Sequence, residues 1–511
     1  MAGGSLTGSV PPEASIPAGQ LPPLRAADLP PALPWRKMLG PSLLLAGLSL
    51  GSGEFVLWPY IVYKSGFVFF WAAVIGVVTQ FFLNMEIERW TLATGESAVT
   101  AFCRLSRQFG WIFLLLNVLP HAWPGWATGA GQILSWMLLG AKEATAADGT
   151  LSFAARHVSA FGIGGLLLVG VVLTAGPVVY KTVERIQVVL VALILVLVVV
   201  MAALVVRPDA IVAMGRGVMG VGALPDPEAG LGFVLLLGAL AFAGAGGTTN
   251  LGQSNFIKDK GYGMGRFIGR ITSPITGEEE ATSEIGYSFP RTPENMARWR
   301  AWWKAANVEH FFSFLVTCLV CLCLMALITY SLLRDESGAL KPGMQAFGSG
   351  IGFVWGQAAE LSGRSAGAFL RFGFLAMGVA VLLTTELGIL DTVSRISADI
   401  VKTQWLLEDE RWSLSKLYYL FLWAEILIGV VILLIPGLGQ PLFLLKTSAA
   451  MNGGVMFLYS ILLFVVGARV LPPGLRMRRW RAAAILWSCV LFGYFSFEAL
   501  RLEVLPFLLG E

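Results

Sequence analysis

Charged residues are scarce in this sequence. Only 13% of its 511 residues are Asp, Glu, Lys or Arg, whereas 56% are hydrophobic. A soluble protein of this length typically carries about a quarter charged residues. The composition therefore excludes an ordinary soluble domain and places most of the chain against lipid or inside a helical bundle. The net charge of +4 is dispersed among loops, so nucleic acid is not an expected partner.

Cysteine and histidine are also rare, with five and three residues respectively. The cysteines show no spacing typical of a disulfide framework. Cys318, Cys321 and Cys323 share one apolar run and are expected to pack as small buried side chains. No spacing links the histidines into a catalytic or metal-binding set. We therefore expect that the protein is not an enzyme and holds no cofactor.

The first residues lack the apolar core of a signal peptide. Residues 1–34 are instead rich in Pro, Ala and Gly. Such a composition cannot bury enough apolar surface to fold alone. It predicts a disordered cytoplasmic tail.

Apolar runs fill most of the remaining sequence. About 20 helical residues are needed to cross a bilayer, and eleven runs are long enough. They occupy residues 41–63, 67–88, 111–139, 159–176, 183–206, 231–257, 306–333, 366–394, 417–435, 440–467 and 480–500. Two prolines, Pro120 and Pro124, interrupt the third run.

The distribution of basic residues predicts the orientation of these helices. When the N-terminus is placed in the cytoplasm, most of the 36 lysines and arginines fall in cytoplasmic loops. This predicts an integral protein of the plasma or inner membrane with its C-terminus outside. Residues 35–206 and 231–467 then form two five-helix repeats of inverted orientation, and residues 468–511 carry an eleventh helix.

The connection between the sixth and seventh helices is unusual. Residues 258–304 form a predicted cytoplasmic loop, which includes a run of acidic residues at 278–280. Its last part, Ala297–Lys304, alternates basic residues with tryptophans. That pattern is typical of a helix at the membrane interface.

Small and polar residues interrupt two of the apolar runs. The first run contains Gly-Ser-Gly-Glu at residues 51–54, and the sixth contains Gly-Ala-Gly-Gly-Thr-Thr-Asn at residues 244–250. Unwound backbone persists within a membrane only where protein or water satisfies its hydrogen bonds. Matching interruptions in two halves predict the central binding site of a transporter.

Several of these motifs resemble the Nramp divalent-metal transporters. Residues 40–42 (Gly-Pro-Ser) and 51–54 resemble that family's Gly-Pro-Gly and Asp-Pro-Gly-Asn in the first helix. Residues 89–96, followed by Cys-Arg at 103–104, resemble its segment after the second helix, and residues 247–251 match the placement of its Met-Pro-His-Asn-Leu. The resemblance implies a leucine-transporter-like (amino acid–polyamine–organocation) fold. That fold is all-α, with eleven transmembrane helices, a 5+5 inverted repeat, and broken helices 1 and 6.

The departures from the family pattern affect the expected cargo. The family's metal-binding Asp falls on Gly51, its Asn on Glu54 and its soft Met on Gly247. The third helix lacks the acidic residues that the family uses for proton movement. Nramp-related proteins without the Met are associated with magnesium, and this chain departs in that direction.

Glu54 is the strongest candidate ligand, because it lies about 20 Å along the first helix and so near the bilayer centre. An unpaired carboxylate at that depth costs several kcal/mol, which suggests a functional role. Backbone carbonyls and polar side chains would complete an oxygen site for Mg²⁺ or Mn²⁺, with Glu54 and Asn250 as metal ligands. The predicted site residues are Gly51, Gly53, Glu54, Gly244, Gly247, Thr248, Thr249 and Asn250. Glu54 could alternatively cap the following half-helix.

Three further polar residues are candidates for a permeation path. These are Gln253, Glu386 and Asn452. The resulting prediction is a secondary transporter of a hard divalent cation that works by alternating access. Two alternatives remain: an ion-coupled transporter of a small organic solute such as an amino acid, and a non-transporting scaffold or sensor that acts through the 258–304 loop.

Overall fold

The computed structural model describes residues 16–34, 38, 40–140, 157–176, 178–272 and 285–509. Within these residues nine continuous helices are long and apolar enough to span a membrane. Two further crossings, helices 3 and 6, are each divided into two shorter pieces. The eleven predicted spanning helices and the all-α fold are therefore confirmed.

The first half of the bundle contains helices 1–5. Helix 1 comprises Pro41–Ser49, the π-helical segment Leu50–Leu57, and Trp58–Ser65. The other four are helix 2, Phe70–Thr94; helix 3, Gln108–His121 and Gly125–Leu139; helix 4, Val158–Ala175; and helix 5, Val179–Val205. Helix 3 divides next to Pro124, as the sequence predicts, because proline cannot donate the helical hydrogen bond.

The second half contains helices 6–10, and helix 11 follows it. They are helix 6, Phe233–Ala241 and Gly247–Lys260; helix 7, Pro293–His310, Phe311–Val316 (π) and Thr317–Leu333; helix 8, Gly367–Trp405; helix 9, Leu414–Leu434; helix 10, Pro441–Val465 and Val466–Val470 (π); and helix 11, Arg479–Ala499, Leu500–Val504 (π) and Leu505–Leu509.

Shorter elements connect the spanning helices. Three are α-helices: Ala98–Leu105, Pro208–Met219 and Gly352–Ser362. Three are single 3₁₀ turns: Pro227–Ala229, Gly263–Phe267 and Met344–Phe347. Two short strands, β1 (Arg25–Ala26) and β2 (Tyr287–Ser288), pair in parallel. We call the end of the bundle that carries Arg89, Arg104, Lys258 and Arg478 the basic end.

Helix 7 begins earlier than the sequence predicts. Its first segment starts at Pro293, where the Thr292 side chain caps the helix by accepting a hydrogen bond from the Asn295 N–H. The predicted interfacial helix Ala297–Lys304 is thus the first part of helix 7. The predicted 258–304 loop is correspondingly shorter, and its acidic run lies outside the described residues.

The sequence predicts a disordered tail over residues 1–34, but residues 16–34 form ordered contacts with the rest of the chain. The Leu29 N–H donates to Asn295 Oδ1 at 3.2 Å. The Trp302 indole donates to the Pro30 carbonyl at 2.8 Å. These contacts and the β1–β2 pairing hold this stretch against the start of helix 7, a partner that local composition does not reveal. Residues 1–15 lie outside the described residues.

Helix 1 lies at the centre of the bundle. In its most apolar stretch 94% of residues are buried, compared with 33% in helices 4, 5 and 11. It packs against helices 5, 6, 7 and 8, whereas helices 4, 5 and 11 expose much of their surface. The two interrupted helices, 1 and 6, therefore meet away from the lipid-facing surface.

Candidate functional site

Helix 6 is broken at the predicted place. Its first piece ends at Ala241, and its second begins at Gly247. Gly246 and Gly247 have φ values of +77° and +56°, which glycine adopts without steric cost. A Cβ atom at Gly247 would also lie 1.7 Å from Asn452 Oδ1. Gly247 is therefore required by the backbone turn and by close packing.

Gln80 of helix 2 forms hydrogen bonds with backbone groups that have no helical partner because of the break. Its Nε2 atom donates to the Ala241 carbonyl at 2.7 Å. Its Oε1 atom accepts from the Gly246 N–H at 3.2 Å. Gly244 provides the space, because a Cβ there would lie 2.5 Å from Gln80 Oε1. Gln80 is absent from the predicted site, although a glutamine inside an apolar span is itself a signal.

Asn250 belongs to the same amide cluster. Its Nδ2 atom donates to Gln80 Oε1 at 3.2 Å and to the Tyr459 hydroxyl at 2.9 Å. Its Oδ1 atom is buried and has no hydrogen-bond partner among the described residues. The Asn250 side chain thus keeps one free acceptor beside the break.

Asn452 of helix 10 holds the start of the second helix 6 piece. Its Oδ1 atom accepts from the Thr248 N–H at 3.3 Å. Its Nδ2 atom lies 3.2 Å from Nε2 of His121, whose Nδ1 is 2.8 Å from the Asn117 carbonyl oxygen. The structure therefore brings Asn452, Thr248 and Asn250 together. His121, which no sequence spacing marked, joins the same network.

Thr248 and Thr249 differ in what their hydroxyls do. The Thr249 hydroxyl donates to the Ala245 carbonyl at 2.8 Å and also to the Gly246 carbonyl. It therefore caps its own turn. The Thr248 hydroxyl is buried without a partner in the described part of the chain.

Helix 1 is interrupted by a π-helical segment and not by the predicted unwound backbone. Residues Leu50–Leu57 form a π-helix, so the backbone groups stay largely bonded to one another. The Gly53 carbonyl, predicted to be a free ligand, accepts from the Trp58 N–H. The Gly51 N–H donates to the Thr385 hydroxyl of helix 8 at 3.0 Å. The prediction that Gly53 supplies a free carbonyl is therefore wrong in this conformation.

Gly53 instead allows helix 1 to approach the broken part of helix 6. A Cβ atom on Gly53 would lie 1.4 Å from the Phe242 carbonyl oxygen. Any larger residue would separate the two helices. This contact places Glu54, the next residue, beside the break.

Glu54 is fully buried near the middle of helix 1. One carboxylate oxygen accepts a hydrogen bond from the Ser49 hydroxyl, and the other has no partner among the described residues. The Cys318 thiol of helix 7 lies within hydrogen-bonding reach of the carboxylate, and Cys321 is nearby. The sequence predicts only packing for these cysteines, and the structure places them beside the buried acid.

The predicted metal pair, Glu54 and Asn250, is not a single cluster in this conformation. Glu54 contacts Ser49 and the helix 7 thiol, whereas Asn250 contacts Gln80 and Tyr459. The two groups are joined through the Gly53–helix 6 contact. The site therefore has two parts, one on each side of the contact between helices 1 and 6. We call Glu54 with Cys318 the acid–thiol part, and Gln80 with Asn250 and Asn452 the amide part.

Gln253 extends the polar surface of helix 6 toward the basic end. It lies one turn after Asn250, and its Nε2 atom donates to Glu88 Oε2 at 3.2 Å. His310 Nδ1 is 3.4 Å from the same nitrogen. This arrangement is compatible with the predicted path.

Glu386 lies elsewhere. Its Oε2 atom accepts from the Ala127 N–H of helix 3 at 3.2 Å. Its charged neighbour is Glu425 of helix 9, and neither oxygen of Glu425 has a hydrogen-bond partner in the described residues. The helix 1–helix 6 contact does not include Glu386, and Glu425 was missed because nothing in sequence links the two acids.

Comparison with known proteins shows the fold. The manganese transporter of Eremococcus coleocola, in a variant crystal structure, matches with a TM-score of 0.65 and 14% identity over 94% of this chain and 90% of that chain. Its complex with an aromatic bis-isothiourea substituted compound gives a TM-score of 0.63 at the same identity and coverage.

The crystal structure of MhsT in complex with L-phenylalanine also matches, with a TM-score of 0.53. The identity is 14%, over 92% of this chain and all of that chain. No protein-family model and no curated protein matches the sequence. At this identity the likeness confirms the leucine-transporter-like fold and its inverted repeat.

Proposed function

We propose that this protein is a secondary transporter that moves a divalent metal cation across the membrane by alternating access. The observation that carries the proposal is Glu54, a buried carboxylate near mid-membrane that has one unpaired oxygen and no cationic partner among the described residues. Retaining such a group costs several kcal/mol unless a cation compensates it. A manganese transporter that shares the fold supports the same class of cargo.

The residues that would hold the ion are those with unpaired oxygens around the helix 1–helix 6 contact. Glu54 Oε2, Thr248 Oγ1 and Asn250 Oδ1 are buried acceptors without partners among the described residues. Such oxygens suit a hard cation, Mg²⁺ or Mn²⁺. The nearby Cys318 thiol would add affinity for the softer Mn²⁺.

The proposed transport cycle requires a rearrangement of the amide part of the site. Gln80 and Asn452 occupy the helix 6 break in this conformation. They would release those backbone groups as the ion enters. Helices 1, 2, 6 and 7 would then rock against the remaining helices, as the fold resemblance to the Nramp group implies, with the basic end facing the cytoplasm.

The direct test is uptake of Mn²⁺ and Mg²⁺ into liposomes that contain the purified protein. Glu54→Gln removes the negative charge that the proposed ligand set supplies, so uptake should fall by at least about tenfold. Glu498→Gln is the matched control, because it makes the same change in helix 11 and should leave uptake intact. Absence of uptake of either ion by the unmodified protein would refute the proposal.

A further variant addresses the choice of ion. Cys318→Ser replaces the thiol with a hard oxygen donor of similar size. If the thiol binds the transported ion, this variant should weaken Mn²⁺ uptake and leave Mg²⁺ uptake unchanged. Equal effects on both ions would assign Cys318 to packing.

A small amino acid is the second candidate cargo. MhsT, which shares the fold, was crystallised with L-phenylalanine. The second piece of helix 6 begins at the break, and such helix N-termini favour carboxylate groups. Thermal stabilisation of the protein by a panel of amino acids, with no response to divalent metals, would favour this alternative.

A further inference from the structure

A cavity with an unusually basic lining lies at the basic end of the bundle. Its volume is about 530 Å³, and it is enclosed by the end of helix 2, the first turns of helix 7, the helix 10–helix 11 connection and the start of helix 11. The cations in its lining are Arg89, Arg300, Lys304, Arg476, Arg478 and Arg481. None of the lining residues is acidic.

Only part of this positive charge is compensated. Glu86 accepts from Arg89 Nε at 2.6 Å and from Arg481 Nη1 at 3.3 Å. Within the described residues no acid pairs with Arg300, Lys304 or Arg478. The cavity therefore has a surplus of positive charge and free hydrogen-bond donors, which is the chemistry that binds phosphate.

Tryptophan rings fix the guanidinium groups in place. The Arg89 guanidinium lies 3.8 Å from the ring centre of Trp303, and that of Arg481 lies 4.9 Å from the same ring. Arg481 is also 4.8 Å from the ring centre of Trp480. Such stacking pre-orders these two cations, and tryptophan is enriched where a protein meets the headgroup region of a membrane.

The cavity adjoins the lipid-facing surface of helix 11. Trp480, which lines the cavity, is 54% exposed, and Trp487 is 46% exposed two turns further along the same face. Leu486 and Val490 beside them are 48% and 63% exposed. An occupant of the cavity can therefore place an anionic group among the cations and an apolar chain along helix 11.

We infer that this cavity binds the phosphate headgroup of an anionic phospholipid, with Arg300, Lys304 and Arg478 contacting the phosphate. The acyl chains lie along Trp480 and Trp487. A free phosphate ion would use the cations but not the exposed apolar face. The inference does not depend on which solute the protein transports.

The test measures lipid binding to the full-length protein in detergent by native mass spectrometry. Phosphatidylglycerol should bind in preference to phosphatidylcholine. Arg300→Gln/Arg478→Gln should weaken phosphatidylglycerol binding by roughly 30-fold, because each basic side chain near a membrane surface contributes about a fivefold gain in affinity and the two factors multiply. The lysine variants at the same two positions should retain binding, since they keep the charge.

The matched control is Arg266→Gln/Arg270→Gln, which removes the same charge from a different cavity at the same end. It should leave phosphatidylglycerol binding unchanged. Equal weakening by both double variants, or equal binding of the two lipids, would overturn the inference. Displacement of the lipid by an equal concentration of inorganic phosphate would overturn it as well, because free phosphate would then be the ligand.

Discussion

Three buried carboxylates near the basic end of the bundle differ from those near its middle in what surrounds them. Toward the basic end, Arg395 forms ion pairs with Asp259 and with Asp391, and all three side chains are almost fully buried. Lys258 pairs with Asp399 in the same way. These acids are compensated by cations from the protein itself, so their role is explained by packing the helices together.

Near the middle of the bundle, three buried acids have no such partner in the part of the chain that the structure describes. Glu54 has a hydroxyl and a thiol as neighbours, Glu386 accepts one backbone hydrogen bond, and Glu425 accepts none from the described residues. A carboxylate buried at this depth without a cation raises the free energy of the folded protein, and packing contacts do not offset that increase. The comparison separates acids that stabilise the fold from acids that are available to a cargo.

The largest expected effect comes from breaking the best-paired group. Arg395→Gln would leave Asp259 and Asp391 buried together without the cation that pairs directly with both. We expect a loss of about 3–5 kcal/mol in the free energy of unfolding, because an uncompensated buried charge is strongly destabilising. Thermal unfolding of the purified protein in detergent measures it.

The control for that variant is Arg501→Gln. Arg501 pairs with Glu498, but its side chain is 56% exposed, so the change should cost less than about 1 kcal/mol. Equal unfolding temperatures for Arg395→Gln and the unmodified protein would show that the buried ion pairs do not hold the basic end together.

A smaller effect is expected at the second ion pair. Lys258→Met removes the cation beside Asp399, but the Ser97 hydroxyl still donates to that carboxylate, as does Thr100 Oγ1 at 3.4 Å. We expect a loss of about 2–3 kcal/mol, since hydroxyl groups compensate part of the charge. The same unfolding assay should rank this variant between Arg395→Gln and Arg501→Gln, and Lys258→Arg should be milder.

The smallest effect is expected at Glu425, which represents the unpaired group. Glu425→Gln removes no hydrogen bond or ion pair found in the described residues, so the free energy of unfolding should change by less than about 1 kcal/mol. Glu96→Gln is the contrasting variant, because it leaves Arg104 buried without its acid. If both variants destabilise the protein equally, the division into paired and unpaired acids is wrong.

Much of the fold could be predicted from the sequence because its strongest signals are local. Long apolar runs must become helices in a membrane, and glycines and prolines mark where those helices stop. The divided helix 3 at Pro124 and the broken helix 6 at Gly246 both follow from this rule. The π-helical form of helix 1 could not be predicted, since it depends on how closely Gly53 approaches helix 6.

The candidate site was only partly predictable. The buried positions of Glu54 and Asn250 follow from polar residues inside apolar runs. Their neighbours do not: Gln80 comes from helix 2, Cys318 from helix 7 and Asn452 from helix 10. Hydrogen bonds between distant helices leave no spacing in the sequence that a reader could recognise.

The sequence by itself determined the eleven spanning helices found in the described residues, and that an acid lies near the centre of helix 1. Only the tertiary structure decided which acids obtain a cation and which do not. The reason is physical: burial in lipid is dictated by each segment's own composition, whereas charge compensation requires two segments to meet. Arg395 meets Asp259 across 136 positions of sequence, and only folding brings them together.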